Sequence, residues 1–439
     1  MSDVDVKTTP LNVLDELYLS FDSDNEPWSV HLEIRVDGHI DRDRLQAAAR
    51  TAAAHHPMAR ARLADARLTD FSYRWEIADE LGEIELEELD CTASGDLGRA
   101  RERTLSRTPP LDRRGPFAML LAHHPEGDSV VLNLHHAAGD GLAALRLMSS
   151  IVRAYGGEDD PAPVVDPLEV RDVGAMAAPG SIKERLTRGR AALEYLGRGV
   201  SAPTRLVPEG GSDKPGYGFA TLAFEPAEVE QIIALRTARA TVNDVLLGAL
   251  GHTVSRWNDH RGETSGAVYL LMPINLRPPE WRFDVVGNFA SYVSVRIGSG
   301  DHTTLAKAVR AAADGTRRVK DGNIAGLIVD LFGAPMLLPA ALKGRIHDLI
   351  PLTGNVIVDT AVLSNLGRIQ SVPAMGDAGR VRELWFSPPG RMPLGASLGA
   401  ATIDGRLFMT LRYRHALFDA AAAAEFLSIF RRTLLGGRN

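Results

Sequence analysis

Four times in this sequence an aspartate follows a histidine by four residues: His39 and Asp43, His124 and Asp128, His136 and Asp140, and His415 and Asp419. Such a pair suits acid–base chemistry, because imidazole exchanges protons near neutrality and a carboxylate can hold it in place. With 13 histidines in 439 residues, chance alone supplies about one such string. The elements that carry each string must therefore separate them.

Three strings have structural readings. His39 and Asp43 straddle a strand end and a helix start, where Asp41 and Asp43 suit the positive end of the helix. His124 and Asp128 fall in the turn of a hairpin, "FAMLLAHHPEGDSVVLNLHH", and read as solvated polar groups. His415 ends a strand, and Asp419 caps the last helix. The fourth string is different. "VVLNLHH" alternates, with Val130, Leu132, Leu134 and His136 on one face and Val131, Asn133 and His135 on the other. A helix begins at about Gly141. A histidine that continues a core row at a strand end is either packed or aimed into a cleft. Gly139 and Gly141 flank Asp140, so the backbone there can turn tightly or let another group approach.

The chain as a whole bounds the function. Its length predicts two or three domains, and 45% hydrophobic with 24% charged residues is a soluble globular composition. No apolar run approaches the roughly 18 residues of a membrane span, so stable membrane insertion is not expected. The polar, acidic start MSDVDVKTTP does not read as a secretory signal, and a cytoplasmic location is expected by default. The single cysteine, Cys91, excludes an internal disulfide framework and a cysteine-built metal site, and it has no activating base beside it. No metal site is expected. A net charge of −7 argues against general nucleic-acid binding.

Strands and helices mix throughout, which predicts an α/β fold of two similar layers. We divide the chain into an N-terminal lobe (1–156) carrying HHAAGDG, a Gly/Pro-rich crossover linker with a basic helix (157–215), and a C-terminal lobe (216–439). "MARARLAD" and "FSYRWEIAD" read as strands, and a long helical region is expected over about 303–350. Lys183, Arg185, Arg188 and Arg190 read first as a solvated helix face; they are also the candidates for docking an acidic carrier protein or the phosphates of coenzyme A.

"HHAAGDG" resembles the HHxxxDG signature of the condensation domains of nonribosomal peptide synthesis. Their relatives include polyketide-associated acyltransferases, wax ester synthase-like enzymes and, more distantly, chloramphenicol acetyltransferase. Further segments resemble the family in its own order: "HHPMARARL" (55–63), "TVNDVLLGAL" (241–250), "MPINLRP" followed by "VVGNFASYVSVR", "LSNLG" (363–367) and "TLRYRHALFD" (410–419). The chain departs from the pattern where Leu142 and Ala143 follow the Asp-Gly pair and where "GNFAS" stands for "GxFVN". His135 stands where the heterocyclising variants have aspartate.

The resemblance implies two chloramphenicol-acetyltransferase-like lobes forming a V with a central tunnel. It implies a free-standing acyltransferase that passes an acyl group from a phosphopantetheinyl thioester, on an acyl or peptidyl carrier protein or on coenzyme A, to an amine or alcohol in specialised metabolism. No tightly bound cofactor is expected, and a monomer is. His136 would be the base, beside His135, with a pKa near neutrality suiting the task. Asp140 would be structural, paired with Arg277, or with Arg60 or Arg62 as second choice. The Gly141 N–H would help bind the oxyanion, and Ser364 and Asn365 would line the tunnel. Two other readings stay open: a lipid-type O-acyltransferase using free acyl-CoA, and a catalytically silent module that recruits a partner enzyme.

Overall fold

The computed structural model describes residues 7–436 except 68–69, 94, 113–114, 197–201, 238, 334–357 and 371. The first part of the chain runs β1 (Lys7–Pro10), α1 (Val13–Phe21), β2 (Ser29–Val36), α2 (Arg42–His55), β3 (Ala61–Leu63), β4 (Arg74–Ile77) and β5 (Glu85–Asp90). It continues through α3 (Asp96–Leu105), β6 (Phe117–His123), β7 (Ser129–His135) and α4 (Gly141–Gly156). Two helices, α5 (Val173–Ala177) and α6 (Ile182–Leu196), lead to β8 (Tyr217–Phe224), α7 (Pro226–Ala234), α8 (Val242–Asp259), β9 (Val268–Asn275) and β10 (Ala290–Ile297). The remainder is α9 (Leu305–Asp321), α10 (Leu327–Gly333), β11 (Ala361–Arg368), β12 (Val381–Ser387), β13 (Ala396–Ile403), β14 (Arg406–Arg414) and α11 (Ala420–Leu435).

Two mixed sheets dominate. One has the order β12-β2-β7-β6-β5 and the other β10-β9-β11-β13-β14-β8. Each buries one apolar core. Leu45, Ala49 and Ala52 of α2 and Leu147, Met148 and Ile151 of α4 meet Val130, Leu132 and Leu134 of β7 in the first core. Leu246, Leu250 and Trp257 of α8 and Phe426 and Phe430 of α11 meet Leu398, Met409 and Leu411 in the second. A third cluster joins α1 to the second half, packing Leu14, Leu17, Tyr18 and Phe21 against Trp281, Phe289 and Ile328.

The alternation along β7 places side chains as read from the sequence. Val131 takes the opposite face, against Leu120 and Ala100, and Asn133 on that face donates to the carbonyls of Thr104 and Arg107. Thr241 caps α8 and Asp419 caps α11. The Asp404–Gly405 pair turns the β13–β14 hairpin with φ of 47° and 78°, the left-handed conformation that a two-residue hairpin turn demands.

Three expectations are corrected, and one is met as far as the described residues reach. The stretch 57–64 is a short 3-10 turn, Pro57–Arg60, followed by a strand of only three residues. The helical region after 303 consists of α9 and α10, and its remainder lies outside the described residues. A division of sheets at 215/216 does not hold, because β12 leaves the second half and pairs antiparallel with β2 of the first. Its pattern reads simply as a strand, and periodicity does not name the partner. Finally, Asp128 is not solvated: it is 0% exposed. It accepts from His39 Nδ1 at 3.1 Å, His123 Nδ1 at 2.7 Å and the Ile40 N–H at 2.7 Å. Thus His39 serves Asp128 and not Asp43. Burial alone would push the Asp128 carboxyl up, but these bonds outweigh it and hold the pKa low.

His123 is held above its ordinary pKa, since burial, which lowers it, is outweighed by the bonds it donates to Glu88 and Asp128. A raised histidine pKa contributes stability that is complete below the unfolded value of about 6.5 and is lost as pH rises through the folded value. The melting temperature of the native protein should therefore fall more steeply above neutrality than that of His123→Gln. Parallel melting curves against pH for the two proteins would refute this.

Candidate active site

His136 is the first residue past β7. Its N–H donates to the Trp28 carbonyl at 3.1 Å, extending the ladder to β2, and its own carbonyl accepts from Asn288 Nδ2 at 3.0 Å. The ring is thereby turned out of the core row and onto the wall of a cavity of about 410 Å³. The Tyr18 ring lies 4.1 Å away and the Trp28 ring 6.5 Å, stacked at 22°. Further lining comes from β9, β10, β11, the end of β12 and the β12–β13 connection, including Leu271, Tyr292, Val362, Ser364 and Phe386. Residues of both large sheets thus meet around one imidazole.

That imidazole is 8% exposed, and its Nδ1 is buried without a hydrogen-bond partner. Burial lowers its pKa to about 4, with the charge of Asp140 working weakly in the other direction. The near-neutral value expected from histidine's ordinary behaviour is therefore not what this apolar wall provides. The ring is neutral throughout the physiological range, and its charged form is costly here.

The loop behind the ring is locked. Asp140 is 1% exposed. It receives a two-pronged contact from Arg277, Nη1 to Oδ2 at 2.7 Å and Nη2 to Oδ1 at 3.0 Å. The N–H groups of Phe289 (2.9 Å) and Ala143 (3.0 Å) also donate to it. Burial would raise its pKa, but the Arg277 charge and these bonds hold the carboxyl below its ordinary range. Arg277 also donates to the carbonyls of Gly287 and Val285 and lies over the Phe289 ring at 4.5 Å. Asp140 thus caps α4 and pins the 285–289 segment at once. Arg60 instead bonds the carbonyls of Ala53 and Ala78, and Arg62 pairs with Glu76.

The other expected residues separate by position. His135 faces away from the cavity: its Nε2 lies 3.6 Å from Asp22 and its Nδ1 accepts from the Ala137 N–H. Bonds from His135, Thr108 and Trp28 overcome burial and lower the Asp22 pKa. Gly141 and Ser364 line the cavity. Asn365 lines a smaller polar cleft of about 90 Å³ beside it, with Asn275, Arg277 and Arg282. The two spaces share Asp140, Gly141, Pro273, Ala290 and Ser364. Gly141 opens α4, so its N–H has no partner within the helix. A Cβ there would come within 2.8 Å of Phe386 Cζ and 2.9 Å of Leu366 Cδ2. Gly141→Ala should therefore obstruct the junction of the two spaces and slow turnover more than it lowers stability, with overpacking costing about 1–3 kcal/mol. Unchanged kinetics would show that nothing passes there.

The basic stretch is not one solvated face. Lys183, Arg185 and Arg190 are exposed, but Arg188 is 3% exposed, ion-paired to Asp330 and bonded to the carbonyls of Asn323 and Ala177. It pins α6 against α10. A second constellation, His56, Ser150, Arg146 and Asp160, resembles a catalytic set by composition. It is enclosed, with Ser150 0% and His56 1% exposed, and it braces α2 against α4. Sequence reasoning missed the aromatic partners of His136, Tyr18 and Trp28. It also missed Asn288 and the cavity residue Arg391; none of them carries a spacing signal linking it to the histidine. Among the described residues, no helix is long and apolar enough to cross a membrane.

The fold recurs in solved structures. The first condensation domain of the CDA synthetase superposes with a TM-score of 0.72 at 15% identity, covering 98% of this chain and 96% of that one. An epimerization domain of tyrocidine synthetase B matches with a TM-score of 0.63 at 15% identity, covering 99% and 98%. The mixed α/β architecture is thus that of condensation domains, with their chloramphenicol-acetyltransferase-like fold, and it also carries a domain named for a different reaction. Two curated proteins of Mycobacterium tuberculosis, strains CDC 1551 and H37Rv, both described as uncharacterized, are each 38% identical over 436 residues, covering 98% of this chain and 99% of the relative. The family model described as "Condensation domain" matches residues 18–327. The chain belongs to the condensation-domain family.

Proposed function

We propose that this protein is a condensation-type acyltransferase that moves an acyl group from a phosphopantetheinyl thioester, on a carrier protein or coenzyme A, to an amine or hydroxyl acceptor. The observation that carries the reading is a neutral His136 on the wall of a cavity built from both sheets, on a loop pinned by Arg277 and Asp140. The polar cleft with Asn275, Arg282 and Asn365 suits the amide-rich pantetheine arm, and the apolar cavity suits the group it must meet. The two join beside Gly141.

The step asks little of the protein beyond placement, because a thioester has a good leaving group. The acceptor nitrogen or oxygen attacks the thioester carbonyl, whose oxygen becomes an oxyanion near the Gly141 N–H. As the new bond forms, the acceptor becomes strongly acidic and its proton passes to His136 Nε2. The C–S bond then breaks, and the proton goes on to the leaving thiolate to give the thiol. A pKa of about 4 suits such a relay: the imidazole takes the proton only from an acidic intermediate and does not retain it. His135 and Asp140 hold the loop and do no direct chemistry. Lys183, Arg185 and Arg190 are exposed and available to an acidic donor.

This reading sets the acid side of the pH profile. Because the His136 pKa is lowered, its neutral form persists as pH falls well below 6.5, so its protonation should not reduce kcat/KM until pH approaches about 4. An acid limb centred on the ordinary imidazole value would contradict the assignment.

The experiment is intact-mass spectrometry of acyl carriers and acyl-CoAs incubated with the protein and candidate amines and alcohols. Loss of acyl mass from the carrier with matching gain on an acceptor, dependent on His136, supports the proposal. Acyl carriers that stay loaded across the panel count against it. The apolar lining favours a lipid-type O-acyltransferase as the second reading, for which long-chain acyl-CoA with alcohols would be the productive pair. A silent module is disfavoured by the complete and pinned HHAAGDG loop.

A further inference from the structure

The cavity that His136 lines is apolar except at a few points, and one of them is a cation with no hydrogen-bond or ion-pair partner among the described residues. Arg391, in the β12–β13 connection, lines the cavity. Its Nε and Nη1 are buried and make no hydrogen bond, and no ion pair engages it among the described residues. The charges around it are committed elsewhere. Glu26 feels the Arg391 charge, but it is bonded by Arg414 at 3.1 Å, by the Tyr217 hydroxyl at 3.3 Å and by the Met392 N–H at 3.4 Å. Asp140 is taken up by Arg277, and Asp359, also on the lining, accepts from Ser294. The Arg391 guanidinium lies 5.8 Å from the Phe21 ring centroid, at the outer range of a cation–π contact. Phe21 in turn touches Trp28 (5.3 Å) and Tyr18 (6.4 Å), the two rings that flank His136.

A half-buried guanidinium with enclosed, unbonded N–H groups is expensive unless something fills its fork. Its geometry matches a carboxylate or a phosphate, which it can hold by two parallel bonds. An aromatic wall runs from this cation to the imidazole. We propose that Arg391 binds an oxyanion, a carboxylate or a phosphate, on the substrate that fills the apolar cavity, at the end of an apolar stretch from its reacting atom. The inference rests on the reading that this cavity holds one of the two substrates, and it narrows that substrate to an amphipathic anion.

Binding can be measured without turnover, by titration calorimetry with octanoate, octyl phosphate, 1-octanol and octanamide on the native protein, Arg391→Lys and Arg391→Met. The native protein should bind octanoate or octyl phosphate at least about tenfold more tightly than the two neutral ligands, and the tighter anion identifies the oxyanion. Arg391→Met, with its melting temperature checked, should lose that preference while keeping octanol affinity, and Arg391→Lys should retain part of it. Equal affinity for anionic and neutral ligands in the native protein overturns the inference, as does a preference that survives in Arg391→Met, or no detectable binding of either anion. A protein that transfers acyl groups without any anion preference refutes this inference alone. One that prefers anions through Arg391 yet transfers nothing refutes the proposed activity instead.

Discussion

His136→Ala is expected to reduce acyl transfer by about 10²–10⁴-fold, the usual range for removing a positioned acid–base group, and to leave the protein folded. The fold tolerates the change because the side chain makes no hydrogen bond that would be orphaned: its Nδ1 is already without a partner, and the loop is held through backbone atoms by Trp28 and Asn288. The loss to stability is then a partly filled cavity between Tyr18 and Trp28. His135→Ala provides the contrast. That ring sits between Asp22 and the Ala137 N–H, so its removal should lower the melting temperature and affect turnover only through the loop. Turnover unchanged in His136→Ala, or a larger kinetic loss in His135→Ala at equal stability, would reassign the imidazole that matters.

The second large effect belongs to Asp140. Asp140→Ala removes four hydrogen bonds and leaves the Arg277 guanidinium charged, buried and facing no anion. Breaking one side of a buried pair costs about 3–5 kcal/mol, so a marked fall in melting temperature should accompany the loss of activity. The cause can be isolated. In Asp140→Ala combined with Arg277→Met no charge is left unpaired, so part of the stability should return while activity does not, because the His136 loop remains unpinned. Arg277→Lys should also be poor, since an ammonium cannot reproduce the two-pronged contact. A purely kinetic defect in Asp140→Ala, with melting unchanged, would mean that the carboxylate takes part in chemistry and not in bracing.

How far the sequence reveals this site depends on which interactions are local. The strand, turn and helix around residues 129–156 are legible because alternate residues of β7 face different cores and Asp140 caps the helix that follows. The pairing of Asp140 with Arg277 spans 137 residues; periodicity is blind to it, and only likeness to a family suggested it. The burial of Asp128 was hidden by its setting in a Pro-Glu-Gly turn, since turn composition says nothing about what folds over the turn. Arg188 looked like its solvated neighbours because a helix pattern does not say that α10 will cover one basic residue and leave Lys183 and Arg185 exposed. The transfer of β12 into the first sheet and the place of Arg391 on the cavity wall are both set by chain crossing. Neither leaves a mark on local sequence.

In the proposed reaction a thioester carbonyl and its attacker meet at His136 between the two sheets. A crystal structure with a stable amide analogue of an acyl-pantetheine tests it most directly. The pantetheine arm should lie in the cleft beside Asn275 and Asn365, with the carbonyl carbon at the Gly141 junction and an attack path of about 3–3.5 Å open on the His136 side. An analogue whose carbonyl lies away from His136, or whose arm enters by another route with the cavity untouched, would contradict it.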